Sequence, residues 1–425
     1  MSSMIAFIMI FALFTFSFFI NKILFRSTLN YANVFIIMYV FVMILSLFSF
    51  FGFESVSFTT YLYLIIGLFS FEIFTSIFIS AIKVKQKLFA VYETRSFIKF
   101  IFSCIILAVL VPIAVKGFAI FKESGFNYLR WAWQGNYYDQ RIRFLVVYFL
   151  SPLNTSLTCY SILELIQKRK FSINLLINFF TYVVLMFITA GRMDFLLIIM
   201  YMISALVFEY GGSIFQIIKK NKKLIFSILA LLLLIVVITG QRSLDSEKGL
   251  LYNIYCYFVG SIHLFDYYIK HTTTTLLNGG NYLFGKGMLS PITDVFKMFI
   301  KGIGVQTNML SGIEEINQIA QIYFTLNNGV VMNNNITFGY VCLRDFGILG
   351  LVIDPAYMAL VYAFIYKCYK KVNSVCSKVM FYYSIAILPF WIFEFYFART
   401  PVMLIFVYMY LIDKFLYKKS IVACS

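Results

Sequence analysis

The sequence predicts an all-α, polytopic integral membrane protein with eleven or twelve transmembrane helices and one large loop on the outer side. Of its 425 residues, 62% are hydrophobic and 12% are charged, whereas soluble domains have about 45–50% and about 25%. A soluble fold must cover its surface with polar groups, so this composition excludes a soluble enzyme, a disordered chain and a secreted disulfide scaffold. Apolar runs of about 20 residues, the length that crosses a bilayer, recur along the whole chain. We therefore expect residues 1–425 to form a single transmembrane domain.

Eleven segments are long and apolar enough to be predicted spans. They are residues 4–20, 31–51, 59–82, 97–115, 144–163, 173–190, 194–210, 224–240, 337–366, 379–398 and 400–417. The first lacks a basic region before it and is followed by Lys22 and Arg26, which predicts a retained anchor and not a cleavable signal peptide. The stretch 251–269 is ambiguous, because it is aromatic but also carries Asn253, His263 and Asp266.

The distribution of basic residues resolves the orientation and the ambiguous stretch. If 251–269 does not cross, all six basic clusters fall on one face, with the N-terminus outside and the C-terminus inside. That face then holds 21 of the 35 Lys and Arg residues and four of the 18 acidic ones, as expected beside anionic lipid head groups. This leaves 116–143 as an external loop and 241–336 as one large external loop. Nucleic-acid binding is a poor explanation for the positive charge.

Arginines are concentrated at the outer face. Seven of the ten lie there, namely Arg130, Arg141, Arg143, Arg192, Arg242, Arg344 and Arg399. A planar guanidinium binds phosphate or carboxylate through two hydrogen bonds, so this bias favours an anionic ligand on the outer side. The alternative is that some of these arginines pair with acidic residues of the same face.

Two tight connections on the outer face contain arginine. Gly191-Arg192-Met193-Asp194 joins two predicted spans, so Arg192 and Asp194 should lie at the membrane boundary, facing a cavity or each other. Arg242 caps the next span on the same face. Two further acids lie within spans, Glu72 and Asp354, where an ionised group usually faces a cavity or a partner. A proton relay and a buried neutral or paired acid both remain open for them. Pro355 is expected to break its helix.

The sequence predicts neither a metal centre nor a cofactor. It contains only two histidines, His263 and His271, and its seven cysteines form no Cys-x-x-Cys pair, so a zinc site lacks ligands. The large loop has no serine-histidine-acid arrangement and no Gly-rich phosphate-binding segment.

Several short motifs, taken in order, resemble bacterial O-antigen polymerases. Residues 333–340, Asn-Asn-Asn-Ile-Thr-Phe-Gly-Tyr, and 344–350, Arg-Asp-Phe-Gly-Ile-Leu-Gly, are similar to the end of the large external loop in that family. Residues 189–192, Thr-Ala-Gly-Arg, resemble its small-Gly-Arg element, and 257–261 resemble the start of its large loop. The overall plan, with eleven or twelve spans and one long loop in the C-terminal half, is also similar.

The resemblance implies a metal-independent glycosyltransferase of the bacterial inner membrane, with a fold like that of GT-C membrane glycosyltransferases. It would join undecaprenyl-diphosphate-linked oligosaccharide repeat units at the periplasmic face, and a chain-length regulator protein would be a partner. Arginines can stabilise a departing diphosphate; we expect Arg192, Arg242 and Arg344 in this role, assisted by Arg141 and Arg143. Attack by a hydroxyl needs a general base, for which Asp345, Asp194 and His263 are the candidates.

Two other functions share much of this pattern. A lipid-linked oligosaccharide flippase would bind the same anionic substrate, but transporters often show two similar halves, and the halves of this chain differ. An O-antigen ligase would share the plan and the arginines while transferring glycan to lipid A-core.

Overall fold

A computed structural model describes most of the chain. The described residues are 2–85, 90–135, 137–191, 193–211, 249–271, 282–302, 305, 310–320, 324–325, 331–332, 337–372, 374–393 and 395–420, with a few positions between 219 and 233.

Fifteen α-helices and four short strands have both of their bounds within the described part of the chain. The helices are α1 (Ser2–Phe25), α2 (Tyr31–Leu47), α3 (Phe58–Ala81), α4 (Ser96–Gln134), α5 (Gln140–Leu145), α6 (Ser151–Lys168), α7 (Ile173–Thr189), α8 (Met193–Glu209), α9 (Gly249–His271), α10 (Ser290–Gly302), α11 (Gly312–Ala320), α12 (Phe338–Phe346), α13 (Gly350–Lys371), α14 (Val375–Ile387) and α15 (Thr400–Leu416). A π-helical turn, Val146–Leu150, joins α5 to α6. The strands are β1 (Ala90–Thr94), β2 (Phe324–Thr325), β3 (Val331–Met332) and β4 (Tyr417–Ser420). β1 pairs with β4 and β2 with β3, both antiparallel.

The chain is a helical, polytopic membrane protein. Six described helical segments are long and apolar enough to cross a bilayer. They are Met4–Phe25, Phe58–Ala81, Ser96–Gly125, Gln140–Lys168, Phe338–Lys371 and Val375–Ile392. Helices lie at ten of the eleven predicted spans, while 224–240 falls mainly outside the described residues. The count of eleven spans stays a prediction.

Two local expectations differ from the structure. Within the predicted external loop 116–143, residues up to Gln134 continue α4 as helix, which is interrupted at Gly125 with φ of +75°. The predicted break at Pro355 is wrong, because α13 runs through it from Gly350 to Lys371. The interruption lies earlier, at Gly347, whose φ of +62° ends α12. Pro355 follows this break closely and costs the helix only the one hydrogen bond that its missing N–H would make.

The contacts within the chain divide it into two compact units, and a single transmembrane domain over residues 1–425 stays a prediction. Unit 1 is Met1–Lys83, Glu247–Lys367 and Ile387–Thr400, and unit 2 is Val84–Ser246, Cys368–Ala386 and Pro401–Ser425. Each unit is discontinuous, because helices that are distant in sequence pack together, and apolar periodicity carries no information about such pairing.

In unit 1, α1, α2 and α3 pack around an aromatic core. Tyr31 stacks on Tyr362 with ring centroids 5.4 Å apart, and the Phe35 ring meets that of Trp391 edge-on at 5.2 Å. The Tyr39 hydroxyl donates to the Trp391 carbonyl at 2.6 Å. These contacts tie the N-terminal helices to residues more than 300 positions later.

In unit 2, α4 packs along α7 at very close range. A Cβ on Gly117 would lie 1.7 Å from the Phe187 carbonyl oxygen, so only glycine permits this approach. A buried ion pair holds α4 to α6, with Lys99 Nζ 2.7 Å from Glu164 Oε2. The other oxygen of Glu164 accepts from the Tyr417 hydroxyl at 2.7 Å. Every oxygen of that carboxylate is therefore partnered.

Candidate functional site

The short helix α12 of unit 1 holds two of the predicted site residues. It packs closely because Gly339 lies against other elements: a Cβ there would be 3.2 Å from the Phe265 ring and 3.3 Å from Leu64. Its end is fixed by Gly347, where the chain turns into the Gly347–Leu349 3-10 segment. The position of Arg344 and Asp345 is thus set by backbone packing.

Arg344 is a buried cation that forms no direct ion pair with the described residues, although the neighbouring Asp345 interacts with it electrostatically. It is buried, with 7% of the residue exposed, and its Nε has no hydrogen-bond partner among the described residues. None of the described ion pairs involves it. Burying a charge is costly unless it is paired. An arginine kept in this state is therefore well suited to bind an anion that the protein does not itself supply.

Two more polar groups without partners lie on the same face of α12. The Tyr340 hydroxyl and the Thr337 hydroxyl are fully buried, and neither has a hydrogen-bond partner in the described part of the chain. Residues 337, 340 and 344 follow the i, i+3, i+7 spacing of one helical face. Together with Arg344 they form a row of three donors, which we call the α12 polar row. Such a row suits an oxygen-rich anionic ligand.

Asp345, the next residue, has partners for both of its carboxylate oxygens. It is 0% exposed, and its two oxygens accept hydrogen bonds from the Gly287 N–H at 2.8 Å and the Met288 N–H at 2.7 Å. A Cβ on Gly287 would lie 2.8 Å from the same carboxylate. Asp345 anchors the turn before α10, and this geometry favours a structural role over that of a general base.

His263 and Asp266 lie on one face of α9, as their spacing predicts, and both face the connection between α2 and α3. The His263 ring packs 4.7 Å from that of Phe53, and its Nε2 has no partner among the described residues. Burial lowers the pKa of His263 to about 4, against the opposing effect of Asp266. The imidazole is therefore neutral at physiological pH.

Asp266 caps the start of α3. It accepts from the Ser57 N–H at 2.9 Å and the Thr60 hydroxyl at 2.6 Å, and it pairs with Lys270 at 2.6 Å. Burial alone would raise the pKa of Asp266, but these hydrogen bonds outweigh it and hold the pKa below its usual value. Asp266 is thus a satisfied structural acid.

Both ends of α9 contact the same region of unit 1. Near its start, the Tyr255 hydroxyl donates to the Leu45 carbonyl at 3.3 Å and accepts from the Phe50 N–H at 3.1 Å. Near its end, Asp266 contacts Ser57. Residues 45–57 form the end of α2 and the connection to α3, so α9 lies across this end of the two helices.

The remaining described candidates belong to unit 2. Arg143 Nη1 donates to the carbonyls of Trp133, Gln134 and Gly135 at 3.2, 3.1 and 2.7 Å, which caps the C-terminus of α4. Arg141 is exposed. Asp194 lies in the first turn of α8, where its charge favours the helix N-terminus.

Arg192 and Arg242 lie outside the described residues. The structure therefore brings Arg344, Asp345 and His263 into unit 1, and Arg141, Arg143 and Asp194 into unit 2.

The two acids within spans differ in their surroundings. Asn21 Nδ2 lies 3.0 Å from each Glu72 oxygen and 2.9 Å from Asn33 Oδ1, so Glu72 has partners from α1 and, through them, from α2. Asp354 is 2% exposed and contacts the Cys342 thiol, while its Oδ2 has no partner among the described residues.

Sequence reasoning did not assign Tyr340 and Thr337 to the site. A usable signal was present, since both precede Arg344 at helical spacing within the Asn/Thr-rich motif. Asn21 and Asn33 were equally detectable as amides inside apolar spans, where an unpartnered amide is costly.

The described residues contain no cluster of three His, Cys, Asp or Glu side chains. No protein-family model, no curated protein and no solved structure matches this chain.

Proposed function

We propose that this protein is a membrane glycosyltransferase of the O-antigen polymerase type, which joins undecaprenyl-diphosphate-linked repeat units at the periplasmic face of a bacterial inner membrane. The observation that carries the proposal is Arg344, a buried guanidinium that forms no direct ion pair with the described residues and whose Nε has no hydrogen-bond partner among them. A lipid-linked diphosphate would supply a negative charge next to Arg344. The Thr337 and Tyr340 hydroxyls of the α12 polar row would donate hydrogen bonds to its oxygens.

The proposed topology has eleven spans, with 251–269 lying across the outer ends of α2 and α3 and a large periplasmic loop at 241–336. Support comes from the two ends of α9, which both contact residues 45–57. A helix that crossed the bilayer would bring its ends to opposite ends of α3. A GT-C-like arrangement belongs to the same proposal.

The proposed reaction transfers the growing glycan between lipid carriers. The bond between its anomeric carbon and the diphosphate oxygen breaks, and the electron pair leaves with the lipid diphosphate. A hydroxyl of the incoming repeat unit forms the new glycosidic bond and gives up its proton to a base. Arg344 would stabilise the charge that develops on the leaving diphosphate, together with Arg192, Arg242, Arg141 and Arg143 as further candidates.

His263 is the base that we favour. Asp345 is fully enclosed and both of its oxygens already accept backbone hydrogen bonds. His263 is neutral, and its Nε2 has no partner in the described part of unit 1. Asp194 remains the alternative, from unit 2.

The test is the lipopolysaccharide profile of a strain lacking this gene, complemented with variants. We expect the deletion strain to show core with a single repeat unit and no ladder, because export and ligation still operate. Wild-type protein and Arg26→Lys, a change at an exposed arginine, should restore the ladder. Arg344→Lys should not, because an ammonium keeps the charge but lacks the planar fork.

Other outcomes separate the alternatives. Core without any repeat unit would indicate a flippase or a ligase, and a normal ladder in the deletion strain would exclude all three functions. A full ladder with Arg344→Lys at wild-type protein levels would remove Arg344 from the site.

A further inference from the structure

The helix α10 is amphipathic with its apolar face pointing away from the protein. Its outward residues are Ile292, Val295, Phe296 and Phe299, which are 51–66% exposed. They follow the i, i+3, i+4, i+7 spacing of a single helical face. Large apolar side chains grouped in this way mark a surface that contacts something other than water.

The opposite, polar face of α10 is fastened to unit 1. The Thr400 hydroxyl donates to Asp294 at 2.5 Å, and Lys297 forms an ion pair with Glu314. Ser290 Oγ accepts from the Ile313 N–H at 2.7 Å. These bonds fix the rotation of the helix about its axis, so the apolar face cannot turn inward.

The turn that leads into α10 lies beside the first residues of a candidate span. The turn before α10 is held by Asp345, and a Cβ on Gly285 would lie 3.2 Å from the Phe346 ring. Directly after these residues come Ile348 and Leu349, 54% and 68% exposed. They belong to the apolar segment Phe338–Lys371, which is long enough to cross a bilayer, so their exposed side chains face acyl chains.

We infer that α10 lies in the plane of the membrane, with Ile292, Val295, Phe296 and Phe299 embedded among the lipid chains of one leaflet. Continuity with the exposed side chains at Ile348 and Leu349 identifies the bilayer as the occupant of this face. A helix that buries an apolar face and keeps a polar face towards the head groups or the protein is the form that interfacial helices take. Membrane embedding of α10 is independent of the proposed activity, because it uses only the membrane character of the chain.

Site-specific photocrosslinking in native membranes tests this inference. A benzophenone amino acid is placed at Ile292, Phe296 or Phe299 of the full-length chain, and the adducts formed on irradiation are identified by mass spectrometry. Phe364, 55% exposed on the candidate span Phe338–Lys371, is the lipid-facing control, and the exposed Lys170 in the basic turn after α6 is the aqueous control.

We expect phospholipid adducts at all three α10 positions, in yields comparable to the yield at Phe364. We expect no such adducts at Lys170. Adducts with another protein chain at these positions would overturn the inference in favour of a protein interface. Yields as low as that at Lys170 would overturn it in favour of a water-exposed helix. Folding of each variant is checked by its abundance in the membrane and its resistance to added protease, relative to wild type.

Discussion

Lys99 in unit 2 and Arg344 in unit 1 are both buried cations, 1% and 7% exposed, but only Lys99 forms a direct ion pair with a described residue. Lys99 lies 2.7 Å from Glu164, whose second oxygen accepts from Tyr417, so its charge is neutralised by the fold. Arg344 forms no direct ion pair in the described part of the chain, although the carboxylate of the next residue interacts with it electrostatically. That carboxylate is occupied by the backbone of Gly287 and Met288.

The comparison separates a charge that the fold pairs from one that we propose to be functional. Breaking a buried ion pair by removing one partner strongly destabilises the folded protein, because the other charge is left buried and unpaired. A buried cation that is already alone has no such partner to lose, so removing it should not unfold the protein. The two sites therefore predict opposite balances between stability and activity.

Replacing Arg344 should have the largest effect on activity. We expect Arg344→Met to abolish the polysaccharide ladder while the unfolding temperature of the purified protein stays equal or rises, because an unpaired buried charge is removed. The ladder is read on lipopolysaccharide gels and stability by thermal unfolding in detergent micelles. A marked fall in the unfolding temperature would show that the guanidinium is structural and would break the comparison.

Replacing Lys99 should have the largest effect on stability. Lys99→Met leaves the Glu164 carboxylate with only the Tyr417 hydroxyl, and we expect a loss of about 3 kcal/mol in the free energy of unfolding. The double variant Lys99→Met/Glu164→Gln should recover most of this, since no lone charge remains. Equilibrium unfolding by denaturant in mixed micelles measures both, and an unchanged single variant would contradict the structural role. Activity per folded molecule should stay at the wild-type level.

The buried imidazole of His263, whose Nε2 has no partner among the described residues, predicts a pH dependence of stability. Its pKa in the folded protein is about 4, below the value of about 6.5 expected when unfolded. The unfolded state therefore binds more protons between these values, and stability should fall by at most about 3 kcal/mol as the pH drops through this window. The variant His263→Phe, compatible with packing on Phe53, should flatten that part of the stability profile. An unchanged profile would mean that His263 is accessible to water.

Replacing Asp345 should have the smallest effect on stability. It is also a control for Arg344, because it changes the neighbouring residue and should leave polymer formation intact. Asp345→Asn keeps the shape but leaves one of the two N–H groups of Gly287 and Met288 without an acceptor, so we expect a loss of about 1–2 kcal/mol. Polymer formation per folded molecule should persist. Complete loss of polymer at full stability would instead assign Asp345 the role of base. Chain-length profiles normalised to membrane protein levels distinguish the two results.

The positions of the membrane helices were predictable because each depends on a local run of apolar residues. Helix ends were less so: the predicted end of a span at residue 115 misses the continuation of α4 to Gln134. Interfacial helices carry aromatic and basic residues like those of a loop, so composition alone does not separate the two.

The site was predictable only in part. Arg344 was selected because a guanidinium suits an anionic ligand on the outer face; the structure shows that it is buried, and its role stays a prediction. The occupation of Asp345 could not be foreseen, because its two partners lie 58 and 57 positions away in sequence. The same limit applies to the pairing of Glu72 with Asn21, 51 positions apart.

The hydrogen bonds that hold α10 in place also determine which fragments of the chain can be expressed as folded proteins. A fragment containing only residues 241–336 would lack Thr400, which holds Asp294, and Asp345, which holds the turn before the helix. It would carry the apolar row at Ile292, Val295, Phe296 and Phe299 into water. Such a fragment would aggregate when expressed alone, so antibodies or binding partners for the large loop should be selected against the intact protein in lipid.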